Sequence, residues 1–141
     1  MANKEAEKES LNNSKKKLGK LISKCRGDKM SQSQLAKRVG LARSNMKYIE
    51  DGVNAPTADI YKRIIEELLP SPKRKAEMDR LFTKIRRVPP PDVCDVLLNN
   101  IQLMNSIQSL YGIQITDDQS KKISALIESF KENNRGDTAD E

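Results

Sequence analysis

Histidine and tryptophan are absent from this 141-residue chain, and aromatic residues of every kind make up only 4% of it. Without histidine no side chain ordinarily exchanges a proton near neutral pH, and no imidazole is on hand to ligate a metal. Candidates for a general base or nucleophile reduce to scattered carboxylates and lone hydroxyls. A glycine-rich phosphate loop is also missing, so no enzyme is expected. The two cysteines, Cys25 and Cys94, stand far apart and lack the paired CxxC spacing of a thiolate zinc site. Neither a metal nor a cofactor is expected, and both cysteines read as small helix-packing residues. No apolar run approaches the ~20 residues that span a bilayer. The charged opening, MANKEAEKESLNNSKKK, has no apolar stretch behind it and does not read as a secretory signal. The expected location is the cytoplasm, with no membrane partner. Scarce aromatics, 36% hydrophobic residues and no convincing strand alternation point to an all-α chain of interdigitating helices.

What charge there is falls unevenly. Residues 1–88 hold 22 Lys and Arg against 11 Asp and Glu, whereas residues 89–141 hold 4 against 9. A half of balance +11 joined to a half of balance −5 suggests that only the first half faces a polyanion. Charge alone fits a solvated surface equally well, so motifs must decide.

Residues 1–14 are polar and predict a flexible N-terminal arm. Leu18, Leu21, Ile22 and Cys25 then recur at helical spacing, and Gly27 closes that helix. Ser31, with Gln34 three positions on, forms a capping box ahead of Leu35, Ala36 and Val39, and Gly40 stops this short second helix. Met46 and Ile49 mark the buried side of a third, which Gly52 ends. Ile60, Tyr61, Ile64, Ile65 and Leu68 mark a fourth, closed by Pro70 and Pro72. Met78, Leu81, Phe82, Ile85 and Val88 mark a fifth over 73–87. The stiff Pro89-Pro90-Pro91 then predicts a domain boundary. One long helix is expected from Asp92 to about Tyr111, and a last one capped by Thr116. Residues 133–141 read as a disordered acidic tail.

Two short helices joined by a tight glycine-containing turn are the elements of a helix-turn-helix. The stretch MSQSQLAKRVGLARSNMKYIEDGVNAPTADIYKRI resembles the Xre/lambda-repressor-like helix-turn-helix family. The resemblance rests on Ser31-Gln32, Leu35-Ala36, Gly40, Ile49-Glu50-Asp51-Gly52 and Pro56, and it covers about residues 15–70. It implies a five-helix DNA-binding domain, here assigned to 15–88, whose third helix lies in the major groove of double-stranded DNA. It also implies that Arg43, Ser44, Lys47 and Tyr48 contact base edges. Gln32 and Asn45 then contact phosphates or brace the base-reading side chains, and Glu50 is a structural acid. Arg43 suits guanine O6 and N7, and Lys47 a guanine or a phosphate. Lys15, Lys16, Lys17, Ser31 and Asn54 are candidates for phosphate contact. The bland alternative for all of these is a solvated helix surface. Lys73-Arg74-Lys75 and Arg86-Arg87 are read that way.

Residues 89–132 carry more apolar positions than so short a segment can bury. A homodimer interface is therefore expected over Val96, Leu97, Ile101, Met104, Ile107, Leu110, Ile123, Ile127 and Phe130. A dimeric repressor on a palindromic operator, controlling a phage, plasmid or other mobile-element operon, is the reading that joins these parts. The alternative is an antitoxin-type protein whose C-terminal half binds a partner protein while the first half autoregulates the operon.

Overall fold

The opening residues of this chain are strong helix formers, with neither proline nor glycine before Gly19. In the computed structural model, which describes residues 2–139, they are helical. Helix α1 runs over Ala2–Arg26, covering the segment whose polarity predicts a flexible arm. The docked second half of α1 supplies the nucleus, so each added turn needs no new nucleation. The extension is also partly held in place. Ser14 is buried and its hydroxyl donates to the Ser10 carbonyl at 3.0 Å. Lys84 donates to the Ser10 hydroxyl, also at 3.0 Å.

Among the described residues every regular element is a helix, and the chain divides into two units, 1–99 and 100–141. In the first, α1 is followed by α2 (Gln32–Val39), α3 (Arg43–Glu50), α4 (Ala58–Leu68), α5 (Pro72–Arg86) and α6 (Pro91–Leu98). Starts and stops are local chemistry. Ser31 accepts from the Gln34 amide at 3.1 Å while the Gln34 side chain accepts from the Ser31 amide at 2.8 Å, the expected capping box. Thr57 and Ser71 cap α4 and α5 with their hydroxyls. Leu69, which ends α4, sits in the left-handed region at φ 47°. Pro70 behind it disfavours the right-handed helical conformation that would otherwise continue.

The core is made by five helices. Leu18, Ile22 and Cys25 of α1 meet Leu35, Ala36 and Val39 of α2, Met46 and Ile49 of α3, Tyr61, Ile64 and Leu68 of α4, and Met78, Leu81 and Phe82 of α5. Tyr61 stacks on Phe82 with ring centroids 4.3 Å apart, and its hydroxyl donates to Asp79 at 2.6 Å. Burial, reinforced by that carboxylate, pushes the Tyr61 hydroxyl above tyrosine's ordinary range.

Helix α6 is attached differently. It has no buried residue, yet Asp92 pairs with Lys75 at 2.7 Å and Asp95 with Lys62 at 3.1 Å. These contacts carry the first unit past the triple proline to Asn99. The single helix expected over 92–111 is broken at Asn99-Asn100 into α6 and α7 (Ile101–Gln108). Paired asparagines are poor in a helix interior, because their side chains compete for the backbone groups.

The second unit holds α7 and α8 (Asp117–Ala139). Thr116 and Gln119 form a reciprocal capping box at the start of α8, with bonds of 2.9 and 3.1 Å. No residue from 100 to 134 is buried. The tail expected to be disordered is helical as far as Ala139, and 140–141 lie outside the described residues. No helix among the described residues is long and apolar enough to cross a membrane.

Candidate nucleic-acid interface

The turn between α2 and α3 is three residues long, and each has a distinct task. Gly40 takes φ 82°, ψ 30°, a left-handed conformation that side chains resist, and its amide reaches back to the Ala36 and Lys37 carbonyls. The Leu41 amide also reaches the Ala36 carbonyl, at 2.8 Å, while the Leu41 side chain packs against the core. Ala42 is extended and opens α3. The turn is short because two successive amides close on one carbonyl.

The two sides of α3 differ sharply. Met46, Ile49 and Glu50 are buried. Arg43, Ser44, Asn45, Lys47 and Tyr48 are exposed, Tyr48 at 47%. The expected base-reading residues thus share one open surface, and Arg43, Ser44 and Asn45 make no side-chain hydrogen bond to the described residues. Lys47 is different. Its ammonium lies 2.8 Å from Asp51, one turn on, and that bonded carboxylate holds Lys47 above the ordinary lysine range.

A buried ion pair fixes this helix to α1. Arg26 meets Glu50 through Nε and Nη2 at 2.9 to 3.2 Å, and its Nη1 donates to the Met30 carbonyl at 3.1 Å. Two glycines let the backbones approach. A Cβ on Gly19 would stand 2.5 Å from the Ile49 and Glu50 carbonyl oxygens, and one on Gly52 would stand 2.5 Å from Lys16 Cα. The C-terminal end of α3 is therefore seated directly on α1.

This seating decides where the candidate phosphate contacts fall. Lys16 lies beside Gly52. Lys15 is half-buried and lines a depression with Asn54, Ala55 and Arg86. Lys17 is exposed, but successive helical residues point about 100° apart, so the three lysines do not form one patch. Ser31 is exposed with its hydroxyl engaged by the Gln34 amide, and Gln32 beside it is half-buried. The Asn54 amide donates to the Tyr48 carbonyl at 3.2 Å, tying the loop after α3 to that helix.

Lys20, Lys24 and Asp51 are exposed charged residues that lie outside the sequence expectation. Lys16, Lys20 and Lys24 recur every four residues and are exposed along α1, a spacing that was visible in the sequence. Asp51 was absorbed into the helix-closing motif, although its spacing from Lys47 is that of a helical ion pair.

The residues expected at a dimer interface divide between the units. Val96 and Leu97 lie on α6 in the first, and Ile101, Met104, Ile107, Leu110, Ile123, Ile127 and Phe130 lie in the second. Leu97, Met104 and Leu110 are half-buried, and the others are exposed. From Val96 to Thr116 the sequence has no Asp, Glu, Lys or Arg.

Comparison of the chain with models of known protein families, with curated proteins and with solved structures finds no match.

Proposed function

We propose that this protein is a sequence-specific regulator of transcription that binds double-stranded DNA as a homodimer and represses from a palindromic operator. The first five helices act as a lambda-repressor-like domain, with α2 and α3 as the helix-turn-helix and α3 as the helix that enters the major groove. One observation carries this reading: Arg43, Ser44, Asn45, Lys47 and Tyr48 stand together on the open side of a helix whose other side is anchored in the core. A helix rigidly held and polar outward can present side chains to base edges without first paying to order its backbone. The basic balance of the first half supports the same reading through attraction to phosphates.

Dimerisation is assigned to the second unit. Its helices bury no residue from 100 to 134, and large apolar side chains such as Ile113 and Phe130 are 62% and 54% exposed. A segment of this composition needs a second surface to cover it, and its first part, as far as Thr116, is free of charge as the centres of such interfaces are. A second copy of the chain also matches the two-fold symmetry of a palindrome.

Selection of duplexes from a randomised pool tests the proposal. Enrichment of a palindrome is the expected result, and a pool that stays random would overturn it. Sedimentation of the full chain should give twice the 15.9 kDa chain mass. Co-purification from its host in a stoichiometric complex with a second protein would favour the antitoxin-type reading instead.

A further inference from the structure

The open side of α3 ends on an acid, Asp51, which caps the helix at its C-terminus. Arg43, Lys47 and Asp51 follow one another at four-residue intervals, so they form a single stripe with Ser44 and Tyr48 alongside. An exposed acid among residues that meet a polyanion calls for an explanation. Stability does not supply one. The Lys47 and Asp51 side chains are 64% and 49% exposed, and open pairs of this kind contribute almost nothing to a fold.

The chemistry of a base pair does supply one. In the major groove guanine presents N7 and O6 as acceptors, and its cytosine presents the N4 amino group as a donor. O6 and N4 are themselves hydrogen-bonded across the pair, so they lie about 2.9 Å apart. The Lys47 ammonium and the Asp51 carboxylate offer a donor and an acceptor 2.8 Å apart. We infer that Lys47 and Asp51 act together as a reader of one G·C pair, Lys47 donating to guanine and Asp51 accepting from the cytosine amino group.

This inference rests on the DNA-binding reading above and names what that site recognises. An ammonium has three protons, so Lys47 can hold guanine O6 and N7 and keep its bond to Asp51. The matching edge of a T·A pair offers Lys47 the single acceptor O4, with the thymine methyl beside it. A·T and C·G pairs present the opposite order and set Asp51 against an acceptor. The carboxylate also repels phosphates, so the stripe gains less from random DNA than two cations alone would.

The test uses the full chain in three forms: wild type, Lys47→Gln and Asp51→Ala. Each is carried through selection from a randomised duplex pool, with helicity and melting temperature measured to confirm folding. The wild type should fix G·C at one position of each half-site. Both variants should relax that same position, losing about tenfold in discrimination, and leave the other positions unchanged. Three outcomes overturn the inference while leaving DNA binding intact. They are relaxation of different positions by the two variants, a shared position that is T·A, and an Asp51→Ala variant that gains affinity for all sequences equally. A folded wild type that enriches no sequence overturns the DNA-binding reading and this inference with it.

Discussion

At the scale of single residues, the Arg26–Glu50 pair and the open stripe of α3 obey different rules. Glu50's side chain is 4% exposed and Arg26's 18%, so each charge depends on the other for the solvation it has lost. Removing one partner strands the second, a change that costs about 3–5 kcal/mol in comparable sites. Arg26→Met is expected to lower the urea midpoint by a corresponding amount, as equilibrium unfolding would measure. Arg43 has no partner among the described residues, so Arg43→Ala should leave the urea midpoint unchanged. In DNA binding it should cost about 1–3 kcal/mol and relax one base position. A uniform loss over all sequences would instead make Arg43 a phosphate contact. Glu50 was legible in the sequence as a structural acid, through the family resemblance. Its partner was not, since nothing in the spacing of Arg26 and Glu50 marks them as neighbours.

At the scale of elements, close packing of α1 on α3 depends on Gly19 lacking a side chain. Alanine is favoured over glycine inside a helix by about 1 kcal/mol, so Gly19→Ala would stabilise a free α1. Here the new methyl would press on two backbone oxygens at 2.5 Å, which cannot swing aside as a side chain does. Net destabilisation by about 1–3 kcal/mol is expected, read from thermal unfolding. Helix α6 makes the opposite case, being held by ion pairs at its surface. Lys75, hydrogen-bonded to Asp92, holds that carboxyl below its ordinary value of 3.8. A carboxyl depressed in this way contributes its full attachment above that ordinary value and loses it as pH falls through the lower folded one. Amide protection over residues 92–98, measured against intrinsic exchange rates, should therefore fall on acidification below the ordinary carboxyl value. Asp92→Asn with Asp95→Asn should produce the same loss of protection at neutral pH. Helices α2 to α5 were legible because their caps and glycines are local signals. The break at Asn99-Asn100 was not, because apolar periodicity runs through it.

For the whole molecule, the two units have opposite surfaces. The first buries fourteen hydrophobic residues in one core, while the second buries none from 100 to 134. Ile123→Asp with Ile127→Asp places two charges on the apolar stripe of α8, and it should leave a single-chain mass in sedimentation. Far-ultraviolet circular dichroism should retain the signal of α1 to α5. DNA affinity should fall steeply, since each half-site would then bind alone. The excess of apolar side chains in this half was legible from the sequence. The boundary was not, because three prolines look like a hinge until Lys62 and Lys75 are seen holding the helix that follows them.

That electrostatic attachment has a mechanical consequence. Salt weakens exposed pairs such as Lys62–Asp95, and no side chain of α6 is fully buried to back them up. If α6 lets go and unwinds, each of its residues spans about 3.3 Å in place of 1.5 Å. The leash behind the first five helices then pays out, and a paired molecule could straddle half-sites at more than one separation. On the proposed function, ionic strength would thereby adjust the tolerance for operator spacing, separately from the grip on each half.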